Sequence, residues 1–97
     1  MHLKFHPEVI GDIEKFDNSI RILLRGQLLK IKSKPEIGKL LGNKAGNDLS
    51  SCRKIYFHNK RYRIVYEIIG EYVLVYAVGK REKFECYKDA SSRKNKT

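Results

Sequence analysis

The chain has 97 residues, 41% of them hydrophobic, and its 21 Lys and Arg outnumber 11 Asp and Glu, which gives a formal net charge of +10. A chain of this length buries one hydrophobic core, so we predict a single domain over residues 1–97 and exclude a modular enzyme. No run of ~18 consecutive apolar residues is present, which excludes a membrane span, and the large positive charge favours a polyanionic partner.

The first third of the chain predicts a short strand and a helical hairpin. Leu3 and Phe5 alternate with polar neighbours, as in a strand, and Pro7 stands where a helix begins. Apolar residues then recur at intervals of three and four along two helices, which are separated by Asp17 and ended by Pro35. The apolar stripes are Val9, Ile10, Ile13 and Phe16 in the first helix and Ile20, Leu23, Leu24, Leu28 and Ile31 in the second.

The remainder of the chain predicts a loop, three strands and a last helix. Glycines interrupt every hydrophobic period between residues 35 and 51, which indicates a connecting loop anchored by Ile37, Leu40, Leu41 and Leu49. The apolar period then becomes two, which predicts strands over 52–57, 61–69 and 72–78 in meander order. Residues 81–93 have helical composition, and 91–97 form a polar tail that we expect to fray.

Strand pairing predicts where the basic residues lie. A turn centred on Asn59 and Lys60 places Tyr56 opposite Arg63, and a two-residue turn at Gly70 places Val78 beside Arg63. Lys54 and Arg63 are then expected to share an open face of the sheet, near the point where Lys80 and Arg81 leave the last strand. The core face is expected to carry Ile55, Ile64, Tyr66, Val73 and Val75.

This predicted basic face has two interpretations. Residues 50–97 carry twelve Lys and Arg against five Asp and Glu, so most of the excess charge lies in the half of the chain that forms the meander. Interleaved tyrosines such as Tyr56 make a cationic and aromatic surface, which suits stacked bases and phosphates. A solvated sheet face that prevents edge pairing is the alternative.

The cysteines and histidines indicate neither a metal site nor a cofactor. Cys52 and Cys86 have no C-x-x-C spacing and no histidine pair near them, so we expect buried, reduced thiols in a cytoplasmic protein, with a single disulfide as the alternative. We assign none of His2, His6 and His58 to catalysis.

Three segments resemble the RelE toxins of bacterial and archaeal toxin–antitoxin pairs. They are Cys52–Ile55, Tyr62–Tyr66 and, most specifically, Val78–Tyr87, where a valine, glycine, lysine, arginine and glutamate are followed by a tyrosine six residues after the arginine. The resemblance covers nearly the whole chain. It implies an α+β fold, with an antiparallel sheet of about four strands, an N-terminal helical hairpin packed on one face and a C-terminal helix.

The resemblance also implies a ribosome-dependent endoribonuclease that cleaves mRNA by attack of a 2′-hydroxyl. Its catalytic positions fall on Lys54, Arg63, Arg81 and Tyr87. Tyr56 departs from the family pattern, since well-studied members place a second lysine there. To RNA and ribosome binding we assign Tyr56, Lys60, Arg61, Lys80 and Lys83.

These residue types suit the chemistry because charge grows on the phosphate oxygens as the 2′-hydroxyl attacks. Arg63 and Arg81 are suited to bidentate phosphate contacts, and Lys54 is suited to activating the 2′-hydroxyl. Tyr87 is suited to stacking on a nucleotide, although packing against Phe84 explains its position equally well.

Two other functions remain open. ParE-like toxins of the same superfamily inhibit DNA gyrase and cut no RNA, and a basic RNA-binding module would carry no activity. The resemblance implies as partners a cognate antitoxin, usually acidic and partly disordered, together with the ribosome and mRNA. Operator DNA would be bound only by the toxin–antitoxin complex.

Overall fold

The computed structural model describes residues 1–44 and 46–95, apart from the side chain of Lys83. In chain order the elements are β1 (His2–Phe5), α1 (Val9–Glu14), α2 (Asn18–Ser33), a 3₁₀ turn (Pro35–Ile37), β2 (Lys39–Leu40), β3 (Asn43–Lys44), β4 (Asn47–Asp48), β5 (Cys52–Phe57), β6 (Tyr62–Ile69), β7 (Tyr72–Lys80), a second 3₁₀ turn (Glu82–Phe84) and α3 (Glu85–Asn95).

Within these residues, five strands form one mixed sheet in the order β1-β7-β6-β5-β2, and β3 pairs with β4 separately. The α+β class is confirmed. The sheet differs from the expected four antiparallel strands because β2 lies in the segment predicted as a loop and β1 runs parallel to β7. β2 has two residues, too few for an alternation of apolar and polar side chains to be detected. The direction of β1 at the edge of the sheet is set by the path of the chain, which the periodicity of its residues does not show.

Helices α1 and α2 pack on one face of this sheet and build the first core. The Asp17 carboxylate caps α2 by accepting a hydrogen bond from the Ile20 N–H (3.1 Å). The buried members of this core are Val9, Ile20, Leu24, Ile31, Phe57, Ile64, Tyr66, Val73, Val75 and Val78, with Ile55 partly buried against them. The predicted core face is therefore confirmed, whereas Ile10 and Leu23 of the predicted helical stripes are exposed.

Helix α3 covers the opposite face and builds a second core. Its buried members are Leu41, Leu49, Cys52, Val65, Tyr76, Ala77, Cys86, Tyr87 and Ala90. The expectation of an open face is wrong here, because strand parity shows which residues share a face but not whether another element covers it. Of the predicted loop anchors, Ile37 and Leu40 are exposed and the other two are buried.

The pairing of β6 with β7 contains an irregularity between Val65 and Tyr66. The register shift places Arg63 opposite Gly79 and leaves Val78 opposite Ile64, so the predicted pairing of Val78 with Arg63 is wrong by one residue. This is the effect of a β-bulge, which adds a residue to one strand. As a result two consecutive residues of β7, Tyr76 and Ala77, both belong to the second core.

The carboxyl-terminal segment is ordered as far as the described residues extend. Helix α3 continues to Asn95, and Ser91 and Arg93 are buried. The Arg93 guanidinium donates to both carboxylate oxygens of Asp12 in α1 (2.7 and 2.9 Å) and to the Tyr76 carbonyl (2.8 Å). The predicted fraying from residue 91 is therefore wrong up to residue 95, and residues 96 and 97 lie outside the described residues.

Both cysteines are buried and free, as predicted. Burial raises the pKa of the Cys52 thiol to about 11 and that of the Cys86 thiol to about 12. The thiol of Cys86 donates a weak hydrogen bond to the Arg63 carbonyl (3.8 Å), which ties α3 to β6. None of the helices formed by the described residues is long and apolar enough to cross a membrane.

Candidate active site

The predicted site residues come from three strands and α3. Lys54 and Tyr56 are two residues apart on β5 and therefore share a face, and Tyr56 pairs with Arg63 of β6 as the turn geometry predicted. Arg81 follows β7, and its backbone N–H donates to the Arg61 carbonyl (3.0 Å). Local pairing thus holds these side chains at one end of the sheet.

Tyr56 lies at the centre of this cluster. The Lys54 ammonium donates a hydrogen bond to the Tyr56 phenol oxygen (2.5 Å), and its Nζ lies 4.4 Å from the ring centroid. The guanidinium carbons of Arg63 and Arg81 lie 5.7 and 5.4 Å from the same centroid. One phenol therefore contacts three cations, within the range of cation–π attraction.

Arg63 is buried, with 3% of its surface exposed. Its guanidinium carbon lies 3.9 Å from the ring centroid of Tyr87, which covers it from α3. The Nε and Nη1 atoms of Arg63 are buried without a hydrogen-bond partner among the described residues. The expectation that Arg63 lies on an open face is wrong, since α3 covers that part of the sheet.

Unpaired buried donors make Arg63 a candidate anion site. Leaving a buried donor unsatisfied costs on the order of 1–3 kcal/mol, and more for a charged group. A phosphate or carboxylate reaching Arg63 would satisfy these donors. In this arrangement the fold keeps two donor atoms of a buried guanidinium unpaired, and an anionic ligand that bound them would remove the penalty.

Of the two roles that the sequence left open for Tyr87, the structure shows the packing role. Tyr87 is 2% exposed and belongs to the second core, and its ring stacks on Phe84 with centroids 6.2 Å apart. The same ring covers the Arg63 guanidinium. The packing role is thus confirmed, while a contact between Tyr87 and a nucleotide stays a prediction.

The environment of Tyr56 favours its anionic form. The hydrogen bond from Lys54, with the positive charges of Lys54 and Arg63, lowers the pKa of the Tyr56 phenol, although partial burial opposes the shift. From α2, the Gln27 side-chain amide donates to the Tyr56 backbone carbonyl (2.6 Å), which holds this part of β5 without adding charge.

The predicted RNA-binding cations border a neighbouring groove of about 600 Å³. Its lining includes Lys60, Arg61, Lys80 and Arg81, so that Arg81 belongs to both the groove and the tyrosine cluster. The turn before the groove holds His58, Asn59 and Lys60 at positive φ (53°, 54° and 64°). The side chain of Lys83 lies outside what the structure describes.

Sequence reasoning missed the residues that hold α3 over the site. Asp12 and Arg93 are 81 positions apart, and Arg93 falls in the segment predicted to fray. Asp12 lies three residues after Val9 and four before Phe16, on the apolar side of α1, and this spacing is the signal that could have indicated a buried partner. Gln27 was missed as well, since no periodicity marks a single polar contact.

This donor set suits anions and not cations. In the described part of the chain, no group of three or more His, Cys, Asp or Glu side chains is placed to hold a metal ion. The cluster offers two guanidinium groups, one ammonium and two phenols. Such groups bind phosphate, stabilise negative charge and exchange a proton through Lys54 or Tyr56.

Comparisons with known proteins match nearly the whole chain. The family model of the ParE toxin of the type II toxin–antitoxin system parDE matches residues 3–83. The mRNA interferase toxin RelE of Escherichia coli K12 is 33% identical over 95 residues, covering 94% of each chain. A double arginine mutant of E. coli RelE in the free state superposes with a TM-score of 0.76 at 31% identity, covering 95% of both chains. RelE in the intact E. coli RelBE toxin–antitoxin complex superposes with a TM-score of 0.67 at 30% identity, over 84% of this chain and 98% of that one. The chain therefore belongs to the RelE/ParE superfamily of toxins of type II toxin–antitoxin systems.

Proposed function

We propose that this protein is the toxin of a toxin–antitoxin pair and that it cleaves mRNA on the ribosome, inhibiting translation. The observation that carries the proposal is the cluster of Lys54, Arg63 and Arg81 around two tyrosines, with Arg63 buried and two of its donor atoms unpaired. The names of the E. coli relatives, mRNA interferase and RelE, support it.

The reaction follows from the groups present. The 2′-hydroxyl oxygen attacks the adjacent phosphorus, the bond from phosphorus to the 5′ oxygen breaks, and the products are a 2′,3′-cyclic phosphate and a 5′-hydroxyl. Arg63 and Arg81 stabilise the charge that grows on the phosphate oxygens, and Lys54 assists at the 2′-hydroxyl. Tyr87 positions Arg63 by covering its guanidinium from α3.

The neighbouring groove extends this site along the RNA backbone. Its cations Lys60, Arg61 and Lys80 bind phosphates on either side of the scissile bond, with Tyr56 beside them, and Lys83 keeps the RNA-binding assignment made from the sequence. Phosphate contacts position a strand without reading its sequence, so this surface suits many codons. The groove volume of about 600 Å³ lies within the ~300–1,000 Å³ range of ligand pockets.

The partners follow from the same charge distribution. A net charge of +10 favours an acidic antitoxin that covers the basic site, as well as the ribosome and its mRNA. The E. coli relative was crystallised as the intact RelBE complex, which supports a cognate antitoxin here. Operator DNA would be bound by the toxin–antitoxin complex and not by the toxin alone.

Single-turnover cleavage of ribosome-bound mRNA tests the proposal. Arg81→Ala should reduce the rate by roughly 100-fold or more, the loss observed when one preorganised donor is removed, with stability unchanged within about 0.5 kcal/mol. Arg25→Ala on α2, also an exposed arginine, is the matched control and should cleave normally. Full activity of both variants would contradict the assignment of the cluster.

The family model named after ParE gives the gyrase alternative a specific basis. ParE-like function predicts inhibition of DNA gyrase supercoiling and no cleavage of ribosome-bound mRNA. The two assays on one purified preparation therefore separate the functions. Gyrase inhibition without cleavage would replace the ribonuclease proposal.

A further inference from the structure

We propose that Tyr56 is the general base of the cleavage, its phenolate oxygen taking the proton of the attacking 2′-hydroxyl, an assignment that rests on the ribonuclease function proposed above. Attack by a hydroxyl requires a group that accepts its proton, and the cluster consists otherwise of cations and Tyr87. A phenol becomes a base when it is ionised, which makes the surroundings of Tyr56 decisive.

The geometry places the Tyr56 oxygen where a base is needed. It accepts a hydrogen bond from the Lys54 ammonium at 2.5 Å, and the guanidinium carbons of Arg63 and Arg81 lie 5.7 and 5.4 Å from the centroid of its ring. A phosphate held by both arginines therefore lies beside the phenol. The side chain is partly exposed, so RNA has access to it.

Every charged side chain that contacts Tyr56 within the described residues is a cation. Lys54 approaches from β5, Arg63 from β6 and Arg81 from the segment after β7. On the α3 side, Arg63 is covered by the neutral ring of Tyr87. On the α2 side, the neutral amide of Gln27 contacts the Tyr56 carbonyl. The hydrogen bond and charge of Lys54, with Arg63, lower the pKa of the Tyr56 phenol and so raise the population of the phenolate at neutral pH.

The other candidates fit less well. Glu82 lines the neighbouring groove and supplies none of the charged contacts to Tyr56 within the described chain. Lys54 donates its hydrogen bond to the phenol oxygen, an orientation in which the ammonium stabilises the phenolate. Among the histidines, His58 stacks on Tyr62, whose ring packs against Phe57 of the first core.

The step balances without a co-reactant. The 2′-hydroxyl proton moves to the Tyr56 oxygen as the bond from the 2′ oxygen to phosphorus forms. The bond from phosphorus to the 5′ oxygen breaks, and the departing oxygen takes a proton from water. Tyr56 returns its proton to water, so the cycle releases no net proton.

The test is the pH dependence of single-turnover cleavage on the ribosome. For wild type we expect a rate that rises with pH through the pKa of Tyr56 and then levels. Tyr56→Phe keeps the ring and removes the oxygen, and should lower the rate by about 100-fold or more while abolishing the rising limb. Tyr72→Phe is the matched control, since Tyr72 also has a lysine over its ring, Lys4 at 4.3 Å, but lies at the opposite end of β7; it should behave as wild type.

Two further variants distinguish a base from a structural hydroxyl. Replacing Tyr56 by 3-fluorotyrosine, a more acidic phenol, should move the rising limb to lower pH. Lys54→Ala removes the hydrogen-bonded cation and should move it to higher pH. A hydroxyl that only orients the substrate would leave the limb in place.

The outcomes separate the two proposals. If wild type does not cleave ribosome-bound mRNA, the ribonuclease function is refuted. If wild type cleaves and Tyr56→Phe keeps both the rate and the limb, the role of Tyr56 is refuted while the function stands. If the rising limb of the pH profile is lost in Lys54→Ala or in Glu82→Gln but is retained in Tyr56→Phe, the residue whose substitution removes the limb is the base, and the inference is overturned.

Discussion

The buried ion pair between Asp12 and Arg93 should determine whether α3 stays on the sheet. Arg93→Met keeps much of the side-chain volume but removes three hydrogen bonds, two to Asp12 and one to the Tyr76 carbonyl. Asp12, 8% exposed, would then be a buried carboxylate with the Val78 N–H as its remaining donor (3.0 Å).

Breaking one side of a buried pair costs about 3–5 kcal/mol because the other charge is left uncompensated. Since both side chains keep about a tenth of their surface exposed, we take the lower end, ~3 kcal/mol. For a domain of this size 1 kcal/mol shifts Tm by about 4–8 °C, so the expected fall is roughly 12–24 °C.

A double-mutant cycle measured by urea and thermal unfolding is the assay. Asp12→Asn alone should also be costly, since it removes the carboxylate that pairs with Arg93 and leaves that guanidinium with the more distant Glu8 carboxylate at 3.9 Å. In the double variant the asparagine oxygen still accepts from the Val78 N–H. The coupling energy should therefore reach at least about 2 kcal/mol. Lys88→Met, at an exposed position of α3, is the control and should change stability by less than about 0.5 kcal/mol. A loss below about 1 kcal/mol for Arg93→Met, or strictly additive single changes, would refute the reasoning.

Three further predictions concern packing, thiols and charge. A methyl group at Gly38 would collide with the Tyr66 phenol that accepts the Gly38 N–H, so Gly38→Ala should lower the free energy of unfolding in urea by about 1–3 kcal/mol. The control is Gly26→Ala inside α2, where the new methyl group meets nothing within 4 Å, and it should stabilise the protein by about 0.5–1 kcal/mol. Equal effects of the two substitutions would contradict the contact between Gly38 and Tyr66. With pKa values raised to about 11 and 12, Cys52 and Cys86 should resist a thiol reagent at pH 8 until the protein unfolds, and rapid labelling of the native protein would count against their burial. RNA affinity should fall with salt on a log–log slope of roughly −2 to −3.5, as expected for three to five phosphate contacts, and a flat response would favour an apolar protein interface.

Local pattern alone determined much of this protein. Apolar residues recur with a period of 3.6 in the first third of the chain and with a period of two after residue 51, and these periods predicted the helical hairpin and the meander. The prediction was possible because each period shows which side chains face the first core. The pairing of Tyr56 with Arg63 followed from one short turn, since register propagates from a turn by counting. Motif resemblance then singled out Lys54 and Arg81, which the structure brings together around Tyr56.

The tertiary structure decided what covers the far face of the sheet, and with it the state of Arg63. The alternation of side chains along β6 places Arg63 on that face, but the burial of Arg63 depends on α3 folding back across the sheet. Helix α3 is held there by contacts between positions far apart in sequence, such as Asp12 and Arg93. The bulge in β7 likewise depends on the packing of two cores and has no local sequence signal. The environment of Tyr56 is also tertiary, because Lys54 is its neighbour in sequence whereas Arg63 and Arg81 reach it only through sheet pairing. The periodicity of apolar residues identifies single helices and strands. Burial and electrostatics are determined by long-range contacts between these elements.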